Sequence, residues 1–195
     1  MYVPDHFRED RPERLRDAMR AISFATLVTS GLEANHLPLL LDGGVLRGHV
    51  ARANPVWKAG DGTALAIFLG PQAYVSPNLY PSKAETGKAV PTWNYIAVHA
   101  RGPIRWIQDA GWIRKLVSDL TDAHEAPRPD SWAVSDAPEG YVDAMVRAIV
   151  GFELTIETLE GKYKLSQNRE ARDRAGVREA FLREGRADIA RLMEP

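Results

Sequence analysis

The chain has 195 residues, 45% of them hydrophobic, enough for one domain with a substantial core. Lysine plus arginine number 25 against 26 aspartates plus glutamates, a formal net charge of −1, whereas a sequence-independent nucleic-acid binder usually carries strong positive charge. Without a cysteine there is no disulfide framework, thiolate metal site or catalytic thiol. The charged start MYVPDHFREDRPERLRD lacks the apolar core of a signal peptide, and no stretch approaches the roughly 18 apolar residues of a membrane span, so a cytoplasmic protein is expected.

Within 11–22, Leu15, Ala18, Met19 and Ile22 recur at helical spacing, which predicts a short amphipathic helix covering a sheet. The period then changes. FATLVTS, LEANHLPLLLD, VLRGHVA and TALAIFL are β-rich runs broken by Ser30-Gly31, Asp42-Gly43-Gly44 and Gly60-Asp61-Gly62, a punctuation that predicts antiparallel hairpins. Further strands are expected at 72–76, 92–107 and 152–161, helices near 109–124 and 138–149, and two tail helices, 169–183 and 186–194, joined around Gly185. Many short strands with few βαβ units favour an α+β, barrel-like class over a doubly wound parallel sheet.

Three clusters carry chemistry. LRGHVARANP joins a strand to a helical turn and gathers Arg52, Asn54 and loop N–H groups in an arrangement suited to phosphate, because a guanidinium offers paired donors to its oxygens. The alternative makes Arg52 a solvated surface residue and Asn54-Pro55 a turn starter. EGKYKLSQN places Lys162, Lys164 and Ser166 on one face of an extended segment, suited to a phosphate or ribityl chain, with Gln167 and Asn168 able to read a heterocycle edge; a solvated edge strand is the alternative. The segment 70–95 crowds Tyr74, Tyr80, Trp93 and Tyr95 among prolines, and such faces stack on a flat ring or fill a core or a dimer interface.

No metal site is expected. His124-Glu125 lacks a second histidine one helical turn on, and His36, His49 and His99 lie on separate strand-like segments. Each reads as a histidine satisfied within a barrel; His49, beside the phosphate candidate, could tune a cofactor, with haem ligation as an alternative. P-loop, GxGxxG, GxSxG and kinase signatures are all missing, so phosphate is not bound in those ways.

The blocks MYVPDHF, GLEANHLPLLLD, GHVARANPVW, AIFLGPQAYVSP, YPSK, VPTWNY, VHARG, AIVGFE and GKYKLSQN, in that order over essentially the whole chain, closely resemble the PaiB-type FMN-binding negative transcriptional regulators. The resemblance implies a single α+β domain over 1–195, an antiparallel, Greek-key-like split β-barrel with peripheral helices and a C-terminal helical extension from about 169. It implies a homodimer with FMN near the interface, the phosphate held by Arg52 with Lys164 and Ser166, and Trp93, Asn94 and Tyr95 nearer the ring; His49, Asn54 and Gln167 complete the expected cofactor set. Two departures stand out: the short turn at Ser30-Gly31, and Asn78 where an aromatic is common, which removes a ring-stacking candidate.

Two functions follow from these readings. One is a flavoprotein that senses or transfers electrons; as an enzyme it would be an FMN-dependent oxidoreductase taking electrons from a reduced nicotinamide and acting on a small molecule. The other is a regulator that binds DNA through the helical pair after Asn168, although the surplus there, nine basic against six acidic residues from Lys162 on, is mild.

Overall fold

Alternation of apolar and polar residues through the front of the chain lays down strands, and the longer amphipathic periods behind it form helices. The computed structural model describes residues 1–194. In chain order the elements are β1 (Arg8–Glu9), α1 (Pro12–Ile22), β2 (Phe24–Thr29), β3 (Ala34–Pro38), β4 (Leu40–Asp42), β5 (Val45–Ala51), β6 (Gly62–Val75), α2 (Ser82–Thr86) and β7 (Thr92–Ile107). There follow α3 (Ala110–Glu125), α4 (Glu139–Arg147), β8 (Ile149–Thr155), β9 (Thr158–Lys164), α5 (Ala171–Arg183) and α6 (Ala187–Leu192). The sheet order is β3-β2-β6-β7-β8-β5-β4, with β9 pairing β1 and β7, giving the α+β class with an antiparallel split-barrel sheet.

Residue contacts divide the chain into two compact units. The first comprises Met1–Ala18, Leu69–Val98 and Glu160–Pro195; the second comprises Met19–Phe68 and His99–Leu159.

In the second unit β5 shows how sequence sets orientation. Leu46, Gly48 and Val50 point into the core with Phe152 and Leu154, while Arg47 and His49 alternate onto the opposite face, toward α3. β5 pairs β8 with His49 opposite Gly151, and Gly151 is required by packing: a Cβ there would lie 2.3 Å from the Trp112 ring. The helices α3 and α4 join around Ile113, Val142 and Val146, with Trp112, Val134 and Ile149 packed against them. Asp109 caps α3 by accepting from the Trp112 amide at 2.7 Å.

In the first unit β1 pairs β9, Arg8 opposite Lys162 and Glu9 opposite Gly161. Helix α5 buries Val177, Ala180 and Phe181, and α6 buries Ile189 and Ala190. Gly185, at φ +75°, ends α5 in a left-handed turn, closed by a 2.8 Å bond from the Arg186 amide to the Phe181 carbonyl. Asp173 accepts from both the amide (3.0 Å) and the hydroxyl (2.6 Å) of Ser82 and thereby anchors α2 to α5.

Three expectations change. Gly60-Asp61-Gly62 leads into β6, which pairs with β2 and β7 rather than with β5, so it closes no hairpin. TALAIFL and QAYVS form the single strand β6, because the fixed φ of Pro71 is compatible with extended backbone. The expected strand 152–161 is instead the end of β8, which pairs β5 and β7, and the start of β9, which pairs β1 and β7: the amides of Ile156 and Glu157 donate to the carbonyls of Gly44 (2.8 Å) and Arg101 (2.9 Å), turning the chain between them. Among the described residues no helix is long and apolar enough to cross a membrane.

Candidate functional site

The nine residues singled out from the sequence divide between the two units: His49, Arg52 and Asn54 fall in the second, and Trp93, Asn94, Tyr95, Lys164, Ser166 and Gln167 in the first.

On β5 His49 faces a cavity of about 290 Å³ walled by Val117, Trp132, Tyr141, Met145 and Ile149. A neighbouring crevice of about 310 Å³, reaching toward Pro38, shares His49 and Trp132. The Nδ1 of His49 is buried and has no hydrogen-bond partner among the described residues, and burial pushes the imidazole pKa below its ordinary value. An unpaired buried nitrogen costs about 1–3 kcal/mol unless something supplies the missing bond.

Arg52 follows β5 and is bonded to the backbone of Ala148 and Ile149, two residues that line the first cavity. Its amide donates to the Ala148 carbonyl (2.8 Å), Nε to the Arg147 carbonyl (2.7 Å), Nη2 to the Ile149 carbonyl (3.0 Å) and Nη1 to Gln108 Oε1 (2.8 Å). The guanidinium thus satisfies carbonyls at the C-terminus of α4, a favourable place for a cation. Three of its five N–H groups are engaged, and two remain for an anion. Asn54 caps the helical turn Pro55–Ala59 by accepting from the Val56 amide (3.0 Å), and its amide nitrogen donates to Asn35 Oδ1 (2.6 Å). Asn35 on β3 was not singled out from the sequence; only pairing across the sheet could have drawn it in. Next to it, His36 Nδ1 bonds the Thr26 hydroxyl at 2.9 Å.

In the first unit the polar side chains of Asn94, Lys164, Ser166 and Gln167 are occupied by the fold. Asn94 is fully buried, accepts from the Ser166 hydroxyl at 3.0 Å, and sets its amide nitrogen 3.7 Å from Met193 Sδ. Lys164 Nζ donates to the Thr92 hydroxyl and the Trp93 carbonyl, both at 2.6 Å, and lies over the Phe7 ring; burial, then Lys162 and Arg169, lower its pKa. Lys162 lies over the Tyr95 ring at 5.6 Å. The expectation that Lys162, Lys164 and Ser166 share one extended face is corrected: Ser166 lies beyond β9 at φ +66° and is buried, since its left-handed backbone turns it toward Asn94. Gln167 closes the same turn, accepting from the Leu165 amide (2.6 Å) and donating to the Tyr163 carbonyl. Trp93 and Tyr74 are each about half exposed and meet edge to face at 5.9 Å.

Three of the seven tail arginines form ion pairs: Arg172 with Glu85 and Glu170, Arg178 with Glu194, Arg186 with Asp188. Among the described residues no cluster of three potential metal ligands forms.

A flat ring with a phosphate tail fits the second unit. The apolar, aromatic cavity suits the ring, His49 on its wall suits a polar atom of the ring, and Arg52, bonded to the backbone of that wall, leaves two donors for a phosphate.

Comparison with known proteins points to the same cofactor. Residues 1–158 match the family described as "Putative FMN-binding domain". Protease synthase and sporulation protein PAI 2 of Bacillus subtilis is 30% identical over 203 residues, spanning 100% of this chain and 95% of the relative. An uncharacterized Aspergillus fumigatus protein is 35% identical over 202 residues, 79% of this chain and 77% of its own. Among solved structures, the FAD and heme binding protein of Mycobacterium smegmatis aligns over 80% of this chain and 73% of that one, with a TM-score of 0.60 at 18% identity, and so shares the fold.

Proposed function

This chain belongs to the FMN-binding domain family, with PAI 2 of Bacillus subtilis among its relatives, and on that premise we propose that FMN serves it as a redox centre seated over β5. The observation that carries this reading is His49: it lines an aromatic-walled cavity and holds a buried nitrogen without a partner among the described residues, while Arg52 binds the carbonyls of Ala148 and Ile149, two residues of the same lining. Bound there, FMN supplies electron transfer, and the protein supplies binding, orientation and electrostatics.

Each residue then has a task. The walls from Val117 to Ile149 exclude water from the ring, His49 offers a neutral imidazole to a ring heteroatom, and Arg52 offers its two unengaged N–H groups to phosphate. Asn54, tied to Asn35, holds the loop beneath the phosphate in one conformation. A reduced nicotinamide is the class of electron donor this reading uses, and the exposed Tyr74–Trp93 pair supports a homodimer.

The test is a titration of FMN followed by quenching of its fluorescence. Arg52→Ala is expected to weaken binding by about 1.5 to 3 kcal/mol, the worth of a charge-assisted hydrogen bond. Unchanged affinity in Arg52→Ala and in His49→Phe would remove the site from β5.

A further inference from the structure

A second cavity, of about 280 Å³, lies wholly within the first unit, and nothing in the flavin reading uses it. Arg8 and Arg11 approach it from the N-terminal arm, Arg14 from α1 and Arg174 from α5, while Glu9 and Glu194 supply its carboxylates. Four guanidinium groups thus face two carboxylates in a chain whose overall charge is −1.

The carboxylate nearest the arginines is already saturated. Glu9 is only 7% exposed, and its two oxygens accept from the Arg11 amide (3.0 Å), Arg11 Nε (2.8 Å) and Arg11 Nη2 (2.6 Å), with Arg14 Nη1 at 3.3 Å. It orients Arg11 and Arg14 and leaves N–H groups of both guanidiniums unengaged. Arg14 is held further by stacking on the Tyr163 ring at 4.9 Å. Glu194 pairs with Arg178, outside the lining. Arg174 has no side-chain partner among the described residues, so all five of its donors stand open beside the cavity. A hollow of about 440 Å³ adjoins through Arg174, Met193 and Glu194.

Converging guanidinium groups with open donors match the three oxygens of a phosphate group. The space exceeds what a bare oxyanion needs, and Leu165, Leu192, Met193 and the Tyr163 ring give its walls an apolar part. We propose that this arginine cavity is a second ligand site, separate from the flavin site, that binds a small phosphate monoester carrying a flat or apolar body. Its recessed form and its carboxylates favour a small molecule over a nucleic-acid backbone, which asks for an open basic surface.

The probes are 5′-AMP and inorganic phosphate, titrated calorimetrically into the full chain already saturated with FMN. The expected result is saturable binding of AMP, competition by inorganic phosphate, and at least a tenfold loss of AMP affinity in Arg174→Gln and in Arg8→Gln with FMN affinity unchanged. Arg174 has no partner to lose, so its variant should unfold at the wild-type temperature. Absence of AMP binding at millimolar concentration, or equal binding by wild type and both variants, would overturn the proposal. So would binding of duplex DNA that falls steeply with salt and requires Arg174 while AMP fails to bind. Failure of either kind leaves the flavin titration with Arg52→Ala untouched, so the two readings stand or fall separately.

Discussion

The face of β5 in the second unit and the turn after β9 in the first treat their polar side chains in opposite ways. Around Asn94, Ser166 and Gln167 the turn pairs amide with hydroxyl and side chain with backbone, and Lys164 is tied to Thr92 and Trp93. On β5, His49 keeps a buried nitrogen bare beside an apolar cavity, and Arg52 keeps two N–H groups open. Buried polar groups that already satisfy one another report on the fold. Those left unsatisfied where space is available report on a ligand.

The largest effects should come from overfilling each region. Gly151→Ala drives a methyl into the Trp112 ring, and Gly161→Ala drives one to 2.2 Å from Leu15 Cδ2. Each is expected to cost about 3 kcal/mol of stability in chemical denaturation, the upper end for overpacking. Only Gly151→Ala, which displaces the indole packed against the α3–α4 cluster beside the cavity, should also weaken FMN binding. Equal losses of FMN affinity in both would erase the distinction.

Next in size is Asn94→Ala, which leaves the Ser166 hydroxyl buried without its acceptor and is expected to cost about 1 to 3 kcal/mol of stability with little change in FMN affinity. A large loss of FMN binding by a well-folded Asn94→Ala would move the ring toward the first unit.

The smallest effect separates the regions by pH. Burial holds the folded-state pKa of His49 below its unfolded value of about 6.5, so the unfolded chain takes up more protons and stability falls as pH drops below about 6.5. His49→Phe should flatten that slope. Glu9, whose carboxyl is lowered chiefly by its hydrogen bonds from Arg11, keeps its stabilisation above an unfolded value of about 4.3 and loses it as pH falls through its lower folded value. Urea midpoints across pH 3 to 8 should therefore show His49→Phe altering the upper window and Glu9→Gln the lower.

Much of this was legible before the fold was seen. The spacing of Leu15, Ala18, Met19 and Ile22 marked α1, the turns at Ser30-Gly31 and Asp42-Gly43-Gly44 marked the β2–β3 and β4–β5 hairpins, and the ordered blocks named the cofactor. What stayed hidden depends on neighbours remote in sequence. Nothing near Arg52 announces that carbonyls 95 and 97 residues away take its N–H groups, and nothing near Asn54 announces Asn35. Ser166 reads as one more alternating strand residue, because a positive φ outside glycine leaves no compositional trace. The arginine cavity escaped for the same reason: Arg8, Arg11, Arg14 and Arg174 look like solvated charges until the arm and α5 are seen to line one space.

The most direct test of the β5 site compares FMN with riboflavin, which differ only by the phosphate, against wild type, Arg52→Ala and Lys164→Ala. Wild type should prefer FMN, Arg52→Ala should lose most of that preference while still binding riboflavin, and Lys164→Ala should keep it. A preference that survives Arg52→Ala and disappears in Lys164→Ala would contradict the account and transfer the phosphate to the first unit.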